Sequence, residues 1–300
     1  MQDRANESSS QNESSGSVVS FGNYDSVDQH VSTRVVSFTS GKGGVGKTNM
    51  VVNTAIALSR QGRRVLVVDA DLGLANVDIL LNLKPQLTIQ DVLKGTHTLA
   101  DIMQDGPDGI VVIPAISGVE ALCNLSTGQK LSLFSALEAE ARHYDYLLID
   151  TRAGIDSDVM YFNSASSEIV LVVTPEPTSL TDAYAMVKLL TKHYGEREFL
   201  VVVNDAAREE EARTAFAQLS AAIERFLQVR VNYMGYVPSD ESVNEAIIQR
   251  TALLEKFPSS PAAVAVSRFA RQLMCFQSSR PIKGNMQLLF RELMESQVHG

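Results

Sequence analysis

The stretch "VVSFTSGKGGVGKTNMVVNTAIAL", Val35 to Leu58, decides how the rest of the chain is read. It passes from apolar residues through four glycines and two lysines into a run with helical character. Within it Gly41 to Thr48, "GKGGVGKT", fits G-x-x-x-x-G-K-[ST]. In that pattern backbone N–H groups cradle phosphates, the lysine reaches the β- and γ-phosphates, and the hydroxyl meets a magnesium ion. The pattern has meaning only between a strand and a helix. "RVVSFTS" supplies the strand, and "TNMVVNTAIALSRQG" supplies a helix that stops at Gly62. An ordinary strand-to-helix turn is the competing reading. The expected nucleotide contacts are Gly41, Lys42, Gly43, Gly44, Val45, Gly46, Lys47, Thr48 and Asn49. Lys42 needs its own explanation, because Lys47 already serves the phosphates from inside the loop.

On either side of this loop short apolar runs recur: "VVSFT", "RVLVVD", "GIVVIP", "YDYLLID", "EIVLVVTP", "FLVVVND" and "VNYMGYVP". Continuous β-rich runs of this kind are strands buried on both faces, and the helical patterns between them make the sheet mostly parallel. The expected fold is α/β: a doubly wound, mostly parallel sheet with helices on both faces. Ligands in such sheets sit at the carboxyl ends of the strands. Asp69, Pro114, Asp150, Pro175, Asn204 and Pro238 punctuate those ends and should converge on one edge.

Three parts are expected: a polar tail over 1–33, one nucleotide-binding domain over 34–279, and an amphipathic helix over 280–300. The tail is rich in Ser, Asn and Gln and holds Asp3, Glu7, Glu13, Asp25 and Asp28 against Arg4, too little apolar surface to offset ordering. In the last part Met286, Leu289, Phe290 and Leu293 recur at helical spacing. That stripe suits a lipid surface, although Glu292 and Glu295 offset Arg291 and the stripe could equally pack on the domain.

The net charge of −9 argues against a chain that wraps nucleic acid, so direct DNA binding is not expected. Cys123 and Cys275 lie far apart without a CxxC neighbour, which fits a reducing compartment and offers no cluster or metal framework. No run approaches the roughly 20 apolar residues that span a bilayer, and the first residues are polar where a signal peptide would be apolar. A cytoplasmic chain is expected.

The loop "KGGVGKT" resembles the deviant phosphate loop of the MinD/ParA ATPases. The resemblance implies that Lys42 crosses an ATP-dependent homodimer interface to the partner's nucleotide. "VLVVDADLGLANVDILL" is similar to the first switch segment of that group. It implies that Asp69 helps hold the magnesium shell with Thr48, and that Asp71 positions the attacking water beside Lys42 and Lys47. "YLLIDTRAGI" resembles the second switch, with Asp150 directed at magnesium. Arg152 departs from it, because relatives carry a small residue or proline there. Asn204, Pro238 and Asp240 fall where the family holds adenine, and Glu176 where a glutamate approaches the partner's ribose. Asn204 and Asp240 also read as helix-start caps.

Narrower segments, "DADLGLANVDILL", "PEPTSLTDAYAMVKLL", "VPSDESVNEAI" and "FPSSPAAVAVSRFA", resemble the FlhG/FleN family of flagellar regulators. That implies control of flagellar number and placement, peripheral contact with the inner face of the membrane, and action with the GTPase FlhF and, in some bacteria, with a flagellar transcription activator. In "DQHVSTR", Asp28, Gln29 and Arg34 match a D-Q-A-x-x-L-R element that stimulates FlhF, while His30 and Thr33 depart from it. The alternative function is a ParA-type ATPase that positions a chromosome, plasmid or division site.

Overall fold

The structure is a computed structural model that describes residues 33–71, 76–114 and 127–278. Its elements run β1 (Arg34–Thr39), α1 (Lys47–Ser59), β2 (Val65–Ala70), α2 (Val77–Leu80), α3 (Ile89–Leu93), α4 (Leu99–Ile102), β3 (Gln104–Asp105), β4 (Val111–Ile113), α5 (Thr127–Ala141), β5 (Tyr146–Thr151), α6 (Ser157–Ala165) and β6 (Glu168–Val173). They continue through α7 (Pro177–Tyr194), β7 (Glu198–Ala206), α8 (Glu209–Leu227), β8 (Arg230–Pro238), α9 (Glu241–Ile248), α10 (Leu253–Lys256) and α11 (Pro261–Cys275). The sheet order is β3-β4-β2-β5-β1-β6-β7-β8. All pairings are parallel except the short β3 against β4. The seven expected strands are all present. β3 was not expected: it is two polar residues long, below the length at which a period shows.

Strand alternation explains why these runs are apolar throughout. Val170, Val172, Leu200 and Val202 enter the layer under α1 and α11, while Ile169, Leu171, Phe199 and Val201 enter the layer under α7 and α8. Each such fully buried side chain contributes about 1.5–3 kcal/mol relative to an exposed one. Phe38 of β1 meets Phe269 of α11 edge-on at 6.0 Å, which ties the central strand to the last helix.

Arg34, the first residue of β1, closes the opposite end of the molecule from the phosphate loop. Its guanidinium donates to Glu168 Oε1 at 2.7 and 3.1 Å, to the Tyr146 hydroxyl at 3.1 Å, and to the Leu273 carbonyl at 2.9 Å. The side chain that sequence matched to the last position of the D-Q-A-x-x-L-R element is thus engaged inside the domain. Asp28, Gln29 and His30 of that element, Cys123, and the stripe Met286, Leu289, Phe290 and Leu293 lie outside the described residues, as do the 1–33 tail before Thr33 and the 280–300 segment. Among the described residues no helix is long and apolar enough to cross a membrane.

Candidate functional site

Parallel register builds the site. Asp69 on β2 pairs with Asp150 on β5, and Asp150 pairs with Phe38 on β1, so both carboxylates emerge level with the start of the loop after β1. Gly44 and Gly46 take φ of 79° and 86°, which a side chain disfavours. A Cβ on Gly46 would overlap Nδ2 of Asn204, and one on Gly41 would overlap the backbone of Asp182 in α7. Around Gly43 and Gly44 nothing lies within 4 Å of a built Cβ. The loop is therefore packed from behind and open in front. Gly46 caps α1 without any side-chain acceptor, leaving the first-turn amides and the positive end of the helix available to an anion.

Lys47 is buried, and its Nζ donates to Asp150 Oδ1 at 2.5 Å; Thr48 Oγ1 donates to Asp150 Oδ2 at 2.7 Å. One carboxylate thus holds both groups that the sequence assigned to phosphate and metal. Asp69 is fully buried and accepts amide hydrogen bonds from Asp71, Asn76 and Val77, each at 3.0 Å. Burial, and next the charge of Asp150, push its carboxyl above the usual carboxylate range, against the pull of those amides. Asp71 leaves β2 two residues later, and Asn76 Nδ2 donates to its Oδ2 at 3.1 Å.

At the mouth of the loop Lys42 Nζ pairs with Glu176 of the same chain and lies 3.3 Å from Thr178 Oγ1. The hydrogen bond and charge of Lys42 lower the Glu176 carboxyl. Arg152, one residue beyond β5, pairs with Asp156 at 3.4 Å with both side chains largely exposed. Its loop is tied to the phosphate loop by the Gly154 N–H, which donates to the Ser40 carbonyl at 3.0 Å.

A cavity of about 510 Å³ runs from Gly44, Val45, Gly46 and Asn49 to Asn204, Pro238 and Asp240. Its volume and mixed lining suit a small organic ligand. Thr174 Oγ1, also in the lining, is buried without a hydrogen-bond partner among the described residues. Asn204 donates through Nδ2 to the Val45 carbonyl at 2.8 Å, so it braces the loop as well as bordering the cavity. Asp240 caps two helices: Oδ1 accepts from the Ser242 amide at 2.9 Å and Oδ2 from the Ala262 amide at 3.0 Å. Asp240 thus acts as a helix cap while it also lines the cavity. Asp205, which the sequence reading passed over, lines the same cavity; an acid directly after a strand-end asparagine was the available signal.

Open glycine loop, buried lysine, paired strand-end carboxylates and adjoining cavity define a P-loop nucleotide-binding ATPase of the MinD/ParA kind. Residues 36–253 match the CobQ/CobB/MinD/ParA nucleotide binding domain, and the chain belongs to that family, in its FlhG/FleN branch. It is similar to the antiactivator FleN of Pseudomonas aeruginosa, at 42% identity over 89% of this chain and 95% of that protein. It is also similar to the flagellum site-determining protein YlxH of Helicobacter pylori, at 32% identity over 82% of this chain and 84% of the relative. Among solved structures, the septum site-determining protein MinD of Pyrococcus horikoshii complexed with Mg-ADP superposes with a TM-score of 0.66 at 26% identity, covering 80% of this chain and 96% of that one.

Proposed function

We propose that this chain is a magnesium-dependent ATPase whose ATP-bound form pairs with a second copy, hydrolyses slowly, and regulates flagellar number and placement. The observation that carries this reading is Lys42. It stands at the mouth of a complete phosphate loop, partly exposed and held by a single surface carboxylate, so it is free to exchange Glu176 for a phosphate across a dimer interface. The names of the FleN and YlxH relatives support the flagellar setting.

In the proposed mechanism the loop amides from Gly41 to Asn49 bind the phosphates, and Lys47 leaves Asp150 to neutralise the β- and γ-oxygens. Thr48, Asp69 and Asp150 form a donor set that fits magnesium, which binds few carboxylates and keeps waters. When bound there, the ion would supply positive charge against the negative charge that develops on the phosphates. Asp71 orients the attacking water, and Asn204, Pro238 and Asp240 border the base. Glu176, once freed from Lys42, faces the partner's ribose. Residues 280–300 would add a peripheral contact at the inner membrane face, with an FlhF-type GTPase and a flagellar transcription activator as partners.

Light scattering of the purified chain with ADP and with ATP tests this reading. The parent should dimerise with ATP alone, and Lys42→Ala should bind nucleotide yet stay monomeric. Equal dimerisation of the variant would remove the sandwich arrangement.

A further inference from the structure

β7 ends in a conformation that side-chain-bearing residues seldom adopt. Asp205 has φ of 57°, in the left-handed region, and the pairing of β7 with β8 slips between Val203 and Ala206. Asp tolerates this region better than most residues, yet the conformation is costly enough to need a reason. In a regular strand Asn204 and Asp205 would lie on opposite faces. Here both line the cavity that begins at Gly46. The departure from strand geometry is what brings a second polar side chain to that end of the site.

The carboxylate is also held. Ser239, just beyond β8, donates its hydroxyl to Asp205 Oδ1 at 2.6 Å, and its N–H donates to the Ala206 carbonyl at 3.0 Å. Neighbouring Asn204 has given a donor to Val45, and each oxygen of Asp240 already accepts one helix amide, whereas among the described residues Asp205 is engaged through Oδ1 alone, by Ser239. Among the described residues lining the cavity there is no Lys or Arg. Asp205 therefore presents an acceptor, with no donor of its own, to whatever occupies this end.

Purines differ at the 6-position in the corresponding sense. Adenine carries an amine there, a donor, whereas hypoxanthine and guanine carry a carbonyl oxygen, an acceptor. We propose that Asp205 is a specificity-determining residue that selects a 6-aminopurine over a 6-oxopurine by accepting a hydrogen bond from the exocyclic amine. The proposal rests on the reading of the cavity as the base end of a nucleotide site. An amine adds a charge-assisted hydrogen bond to the exposed carboxylate that Ser239 already steadies, whereas an oxo group sets oxygen against oxygen, a difference of about tenfold in affinity.

The test is displacement of a ribose-labelled fluorescent ADP by ADP, IDP and GDP, with diphosphates chosen to keep ATP-driven pairing out of the measurement. The parent should prefer ADP over IDP by about tenfold. Asp205→Asn, whose amide can donate to a 6-oxo group, should strengthen IDP and narrow that ratio. Asp205→Gly, which suits the observed φ and carries no acceptor, should weaken ADP and bring the ratio near one. Circular dichroism on both variants confirms that they are folded. An ADP-to-IDP ratio unchanged in both variants would overturn the role of Asp205 while leaving the nucleotide site standing. A parent that prefers GDP would overturn it too, since the carboxylate would then meet the N1 and N2 hydrogens of guanine. A parent that binds none of the three would sink the nucleotide reading along with the proposal.

Discussion

Gly46 and Asn204 form a pair whose energetic coupling can be stated before measurement. Replacing Gly46 by Ala places a Cβ in left-handed backbone at φ 86° and drives it into Nδ2 of Asn204. The backbone strain is about 1–2 kcal/mol. Asn204 must swing aside, losing its 2.8 Å hydrogen bond to Val45, for about 1 kcal/mol more. Gly46→Ala should therefore cost about 2–3 kcal/mol in all. Asn204→Ala alone should cost about 1 kcal/mol for the same lost bond. In the double variant that bond is already gone and the methyl meets nothing, so the total should stay at about 2–3 kcal/mol instead of the larger sum. Equilibrium urea unfolding of the four proteins gives the cycle, with an expected coupling of about 1 kcal/mol. Strict additivity would mean that the loop relaxes around the methyl without touching Asn204, and that the asparagine does not brace the loop.

Other perturbations have equally definite outcomes. Asp240→Ala removes acceptors from two helix starts, and at about 1 kcal/mol per cap should cost about 2 kcal/mol at pH 7. Burial pushes the Asp240 carboxyl up, but the amide bonds from Ala262 and Ser242 outweigh it and leave the folded-state pKa below its ordinary value. Its contribution is thus full above the unfolded value of about 4 and disappears as pH falls through the lower folded value, so urea midpoints of parent and variant should converge in acid. Asp71→Ala should keep ATP binding and pairing while turnover falls, seen as a dimer that persists after ATP is added; unchanged phosphate release would assign the water to another residue.

The phosphate loop was legible because its chemistry is local: the glycines, Lys47 and Thr48 must sit at fixed spacing whatever surrounds them. The strands were legible because burial on both faces removes polar residues from whole runs such as Ile169–Val173. What sequence could not show was how side chains are shared among distant segments. Arg34 reads as the polar first residue of a strand, yet its guanidinium finds Glu168, Tyr146 and Leu273, up to 239 positions away. Asp240 admits a cap or a base contact on spacing alone, and only the approach of Ala262 shows that both oxygens are engaged. Asp205 escaped because alternation places it away from Asn204, and the left-handed turn that overrides alternation has no glycine to announce it. Lys42 was legible as an extra cation; its resting partner Glu176 required the fold that packs the start of α7 beside the loop.

The Arg34 joint has a mechanical consequence. Thr33 enters the central strand β1, and Ser278 leaves after α11 beside Glu198 at the start of β7, where its hydroxyl donates to that carboxylate at 2.9 Å. A pulling force applied between these two points loads the Ser278–Glu198 bond and then the guanidinium, which grips the last turn of α11 through the Leu273 carbonyl. β1 is paired along both edges, to β5 and to β6, and resists being drawn out lengthwise. α11 is held largely by side-chain packing and peels from its end. Under tension the chain should yield at its last helix, while the strand that carries the phosphate loop, paired on both edges, should be among the last to give.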